Sequence, residues 1–202
     1  KIPHLPSRIG VITSPTGSVI HDIINRISDR FKTHIDLWPV AVQGTEASNN
    51  IIDAINGFNK FTNDKPDVII IARGGGSTED LMAFNDEKLA ETVFKSNIPI
   101  ISAIGHETDT TIIDFVSDLR ASTPTAAAEL VVPVRSELVN TIGVLTQRLN
   151  YSIENHLRQN LTNIQKLISY LKTPAEIIDS FKNRLAFLST SFSRIIKNNF
   201  QI

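Results

Sequence analysis

Four groups of residues in this 202-residue sequence carry side chains suited to chemistry on an anion. Arg73-Gly74-Gly75-Gly76-Ser77 (RGGGS) sets three glycines ahead of Ser77-Thr78-Glu79-Asp80, a capping-box-like helix start. Glycines permit φ > 0 and close backbone approach, and a helix N-terminus turns free N–H groups towards an oxyanion, so this spacing is that of a phosphate cradle. A flexible turn uses the same residues. The motif lacks the Gly-Lys-Ser/Thr of a Walker A loop and the third glycine of the GxGxxG fingerprint. Arg73 suits a forked contact to phosphate, or an ion pair with a local carboxylate such as Glu79. Ser14-Pro15-Thr16-Gly17-Ser18 (SPTGS) offers hydroxyls, those of Ser14 and Thr16 among them, beside another helix start; a capped tight turn explains it nearly as well. His106, with Asp109 three residues on, has the pattern of a general acid or base and its orienting carboxylate, or of a helix-start cap contact. Asp22 falls about one turn into the first helix, either solvated or turned towards the same edge. Asp22, Glu107, Asp109 and Asp114 also raise metal ligation, but one His without HxH or HExxH spacing is a thin ligand set, so no metal residue is assigned and Mg²⁺ stays open.

The elements that must position these residues follow from apolar patterning. Arg8–Thr13 (RIGVIT), His34–Val40 (HIDLWPV), Asp67–Ala72 (DVIIIA) and Pro99–Gly105 (PIISAIG) are short Ile- and Val-rich runs ended by turn residues, as in strands buried on both faces of a parallel sheet. Between them, Val19, Ile20, Ile23, Ile24 and Ile27 recur at helical spacing, as do Ile51, Ile52, Ile55 and Phe58, and Asn85 is placed to cap a helix over 86–95. The resulting β-α-β-α-β-α-β-α order predicts α/β architecture over residues 1–133, an open, doubly wound, mainly parallel sheet in a Rossmann-like three-layer arrangement. Ligands of such sheets bind beyond the carboxyl ends of the strands, where the strand order reverses. The SPTGS, RGGGS and His106–Asp109 loops leave strands one, three and four, so all three should share that edge. Together they point to phosphoryl chemistry.

With these residues in place the sequence resembles a known family. Arg8–Gly17 (RIGVITSPTG), Ile71–Asp86 (IARGGGSTEDLMAFND), Ile101–Leu119 (ISAIGHETDTTIIDFVSDL) and Arg120–Leu130 (RASTPTAAAEL) look like the catalytic domain of the exodeoxyribonuclease VII large subunit, in order and through most of residues 5–133. The resemblance implies a single-strand-specific exonuclease, working from either DNA end to give oligonucleotides and then nucleoside 5′-phosphates. It implies Asp22, Arg73, His106 and Asp109 as catalytic residues, beside phosphate-binding Ser14, Thr16, Gly74, Gly75, Gly76 and Ser77. It implies no required divalent metal, although the nearby carboxylates keep Mg²⁺ possible. Trp is usual where this chain has Met82, read here as a packing change. The family normally begins with a DNA-gripping OB-fold and carries a terminal segment containing Arg-Gly-Tyr; neither is in this sequence, which therefore reads as a fragment with weak or no activity by itself.

Residues 134–202 read as a two-helix coiled-coil arm. From Leu138, apolar residues fall at 142, 145, 149, 153, 157, 161, 164, 168 and 171, a spacing of about 3.67, near the hendecad value of a straight or slightly right-handed helix. Thr173-Pro174-Ala175-Glu176 is a capping box with Pro at N1, after which Ile178, Phe181, Leu185, Leu188, Phe192 and Ile195 step as a heptad seam. A hairpin and a kinked continuation both satisfy the pattern. The resemblance implies that the arm recruits small subunits of exodeoxyribonuclease VII.

Composition sets the limits. The chain has no Cys, which removes disulfides, thiolate zinc sites and a thiol nucleophile, and suits a reducing compartment, with cytoplasm the default. No apolar run is long enough to span a membrane and no signal peptide is apparent. The net charge of −1 conceals an asymmetry: residues 1–133 hold 11 Lys and Arg against 17 Asp and Glu, while 134–202 hold 9 against 4. An acidic layer is thus joined to a basic arm that either binds DNA or merely solvates the helices. Two other functions fit parts of the pattern: a nucleotide or NAD-type kinase, since GGGS is similar to a GGDGT turn but has Gly76 in place of the acidic residue, and a non-enzymatic assembly scaffold.

Overall fold

The computed structural model describes residues 1–75, 79–105, 109–171 and 173–199. The chain divides into two compact units, residues 1–141 and 142–202. The first is built on a five-stranded sheet of order β2-β1-β3-β4-β5, with every pairing parallel. Its strands are β1 (Arg8–Thr13), β2 (His34–Pro39), β3 (Val68–Arg73), β4 (Ile100–Ile104) and β5 (Leu119–Arg120). Around it lie helices α1 (Ser18–Arg30), α2 (Ala47–Lys60), α3 (Glu87–Phe94), α4 (Ile112–Val116) and α5 (Pro124–Val131).

Alternation along the strands divides the core into two layers. Val68, Ile70 and Ala72 of β3, with Ile9 and Val11 of β1, pack with Ile20, Ile23 and Ile27 of α1 and Ala127, Ala128 and Val131 of α5. Ile69 and Ile71, with Ile12, pack on the opposite face with Ile51, Ile55 and Phe58 of α2 and Leu89 and Val93 of α3. A strand buried on both faces can be apolar at every position, which is why the VIII run of β3 is legible in the sequence. The open α/β prediction is thus met, with the reversal of strand order between β1 and β3.

Several local expectations change. The residue capping α3 is Asp86, one place beyond Asn85: its Oδ1 accepts from Leu89 N at 2.9 Å. Asn85 instead ends a 3-10 helix, Glu79–Asn85, and its Oδ1 accepts from Ile112 N at the start of α4 at 2.8 Å. The element after the glycine run is thus a 3-10 helix over its described residues. Met82 lies on it with 65% of its surface exposed, so the replacement there is not one of core packing. The four-strand reading also stops short, since β5, α4 and α5 complete the domain.

The arm forms as two helices, α6 (Arg135–Tyr170, 36 residues) and α7 (Pro174–Asn199, 26 residues). The capping box between them is present: Thr173 Oγ1 accepts from Glu176 N at 3.2 Å, and Glu176 Oε2 accepts from Thr173 N at 2.8 Å. No described residue of either helix is buried, and the stripe residues Leu149, Leu157, Leu161, Phe181 and Leu185 are 57–67% exposed. Among the described residues no helix is long and apolar enough to cross a membrane.

Candidate active site

β3 delivers Arg73 to the carboxyl edge of the sheet, where it is 3% exposed and in register with Ile104 of β4. The chain then passes α1 closely: a Cβ on Gly74 would lie 3.1 Å from Val19 Cγ2, so a larger residue would need that side chain to give by a few tenths of an ångström. The two walls so formed belong to the two strands, β1 and β3, between which the strand order reverses. Between them is a cleft of about 440 Å³, lined by Ser14 and Thr16 after β1, by Ser18 and Val19 in the first turn of α1, and by Arg73, Gly74 and Gly75. Its volume is that of a small-ligand site.

The chemistry of this lining is one-sided. It combines a guanidinium, the N-terminal turn of a 13-residue helix and four hydroxyl-bearing side chains, those of Thr13, Ser14, Thr16 and Ser18, with no carboxylate among its described residues. Such a set donates hydrogen bonds and positive potential, which favours an oxyanion over a cation. The Ser14 and Thr16 hydroxyls are 3.3 Å apart, and Gly17 caps α1 without a side-chain bond, so neither hydroxyl is committed to capping that helix.

Five of the candidate residues, Ser14, Thr16, Arg73, Gly74 and Gly75, therefore meet in one cleft. Gly76, Ser77 and His106 lie outside the described residues. Asp109 is half-buried one strand further along, beyond β4, with its carboxylate against Gly105: a Cβ there would meet Asp109 Oδ2 at 2.8 Å. Gly105 also has φ +69°, so glycine is required for both space and backbone. Asp22 is exposed, one turn past Ser18, and lines a separate groove with Asn25, Arg26 and Asp29 of α1 and Thr125 of α5.

The other carboxylate considered for a metal, Asp114, is 7% exposed and committed to structure. Its Oδ2 accepts from Thr111 N at 2.8 Å and Thr111 Oγ1 at 2.9 Å, and its Oδ1 accepts from Ser102 Oγ. Among the described residues no three His, Asp or Glu side chains gather as a cation site.

One wall escaped the sequence reading. Ala41, Val42 and Gln43, after β2, also line the cleft, ahead of Gly44 at φ +91°. The chemistry-bearing residue types mark the loops after strands one, three and four, yet a parallel sheet sends the loop after β2 to the same edge, and β2 is β1's neighbour. The edge rule puts that loop on the same side of the sheet, and the β2–β1 adjacency makes it a wall of this cleft.

Fold and cleft define the class: a doubly wound α/β protein with a donor-lined cleft at the switch point, continued by a helical arm. Over residues 1–202 the sequence matches the family described as "Exonuclease VII, large subunit", and the chain belongs to that family. It is 58% identical over 167 residues to the exodeoxyribonuclease 7 large subunit of Anaplasma phagocytophilum, covering 83% of this chain and 42% of that protein. With the Rickettsia bellii large subunit the identity is 56% over 175 residues, 84% of this chain and 39% of that protein. The Mesorhizobium japonicum large subunit is 48% identical over 189 residues, 92% and 36% of the two chains. The chain thus spans about two fifths of the length of the curated relatives it matches. The family match does not favour the kinase or scaffold readings.

Proposed function

We propose that this chain supplies the catalytic layer, residues 1–133, and the coiled-coil arm, residues 134–202, of a cytoplasmic exodeoxyribonuclease that hydrolyses single-stranded DNA from either end to oligonucleotides and nucleoside 5′-phosphates. The observation that carries this reading is the donor-lined switch-point cleft in a chain of the exonuclease VII large-subunit family.

In the proposed reaction water attacks phosphorus in line with the departing sugar oxygen. Arg73 and the amides of the Gly74–Gly76 turn neutralise charge growing on the non-bridging oxygens, and Ser14, Thr16 and Ser77 hold the phosphate against the end of α1. A pre-set array of donors in a partly dry cleft needs no reorganisation as that charge develops, which is the source of its rate effect. His106, oriented by Asp109, transfers a proton between water, enzyme and leaving oxygen. Asp22, which lines a separate groove along α1, is given no step in this scheme. This scheme draws its charge neutralisation from protein groups, and Mg²⁺ enters as a variable of the test.

The arm is proposed to bind small subunits. Exposed leucines and phenylalanines in a continuous stripe are costly to leave in water, at roughly 25 cal/mol per Å², and a partner helix with the same seam removes that cost. The basic excess of residues 134–202 places positive charge beside single-stranded DNA.

The test uses the full-length enzyme with its small subunit on end-labelled single-stranded DNA, in chelator and in Mg²⁺, wild type against His106→Ala. Loss of cleavage in the variant under both conditions is expected. Undiminished cleavage would sink the assignment of His106.

A further inference from the structure

The segment leading from β4 into α4 carries Asp109, and a polar bracket from three elements holds it. From β5, Arg120 Nη2 donates to the main-chain O of Asp109 at 3.0 Å, across eleven residues of chain. The same guanidinium places Nε 3.9 Å from Asp114 Oδ2, on a carboxylate whose side chain is 1% exposed. Asp114 accepts from Thr111 twice, and from Ser102 of β4. Two residues downstream of Asp109, the backbone is therefore pinned to α4 at Thr111 N. At Asp109 itself it is pinned to β5 by Arg120. On the near side Gly105 turns at φ +69° with the Asp109 carboxylate packed on it.

We infer that Arg120 is a positioning residue: by bridging the Asp109 carbonyl and the buried Asp114 carboxylate it fixes the backbone from which the Asp109 side chain is aimed. Guanidinium geometry makes this possible, because one rigid plane lets Nη2 donate to the carbonyl while its charge stays 3.9 Å from the carboxylate, as an electrostatic contact and not a hydrogen bond, which an ammonium on a flexible stem cannot do from one orientation. An ion pair at 3.9 Å on a half-exposed Arg adds little stability alone, so the value of the bridge lies in direction. Burial of Asp114 beside the proposed site is thereby explained without a catalytic duty for it. The inference rests on the nuclease reading only for the role of Asp109; the bracket is independent of it.

The test compares wild-type, Arg120→Ala and Arg120→Lys full-length enzyme by hydrogen–deuterium exchange across residues 109–111 and by steady-state cleavage of labelled single-stranded DNA. In Arg120→Ala, exchange at Thr110 and Thr111 is expected to quicken severalfold. Its kcat should fall, up to about 100-fold, with KM within about threefold, since misplacement of about 1 Å at a reacting centre has that effect. Arg120→Lys should recover part of both. Unchanged exchange in Arg120→Ala overturns the inference, as does a lower thermal midpoint with kcat per folded molecule unaltered. A wild-type enzyme that leaves single-stranded DNA intact removes the nuclease reading alone, and the exchange result then decides the bracket.

Discussion

Arg73 is a guanidinium buried at the end of a strand, 3% exposed, on the wall of a cleft with no described carboxylate. At a strand end facing a phosphate, a planar fork matters more than charge alone. Arg73→Lys is accordingly expected to lower kcat by about 10²–10³, the scale of removing one transition-state donor. Steady-state cleavage with a melting curve separates this from unfolding. Gly105 is a second such position. Gly105→Ala forces φ +69° on a residue with a Cβ and drives that Cβ into the Asp109 carboxylate. The expected cost is about 1–2 kcal/mol of stability, read by urea denaturation, with loss of cleavage as Asp109 is displaced. Arg73 and Asp109 announce themselves in the sequence because they end buried strands or follow their turns. Gln43 does not: nothing in Ala41-Val42-Gln43 distinguishes a cleft wall from an ordinary loop until β2 is known to lie beside β1.

At the scale of elements, legibility followed length and burial. β1, β3 and β4 are runs of five or six residues buried on both faces and ended by turns, so pattern alone reveals them. β5 has two residues and α4 five, too few to show any period, and their places are set by tertiary partners such as Asp118, whose Oδ2 accepts from Ile100 N at 2.9 Å. α5 carries the same Thr-Pro start as α7, and Thr123 Oγ1 accepts from Ala126 N at 3.0 Å, so that helix was legible by the capping rule. The start of α3 was misplaced by one residue because Asn85 and Asp86 are both good caps; the α4 amide claims Asn85 and leaves Asp86 to α3. The bond from Leu89 N holds the Asp86 carboxyl below its ordinary value, with help from Ser48, against partial desolvation. A depressed folded-state pKa means the cap stabilises the domain fully above the unfolded value of 3.8 and is lost as pH falls through the lower, folded value. Asp86→Ala should cost about 1 kcal/mol at neutral pH and nothing once the pH lies below both values, as measured by urea midpoints across that range.

On the proposed reading the whole molecule separates chemistry from assembly. Residues 1–133 carry the cleft and the acidic excess; 134–202 carry the exposed stripe and the basic excess. Replacing Leu157 and Leu161 together by Asp is expected to abolish capture of the small subunit by the full-length protein while leaving the melting of the α/β unit unchanged, since both side chains are exposed in this chain. Capture that survives the double change would place the partner elsewhere. The proposed reading puts phosphodiester hydrolysis in the cleft between β1 and β3. Its most direct test is release of acid-soluble nucleotides from single-stranded DNA by the full-length enzyme carrying Arg73→Ala, with folding checked by circular dichroism. Release should fall at least about 100-fold in a folded protein; release at the wild-type rate would mean that hydrolysis takes place elsewhere.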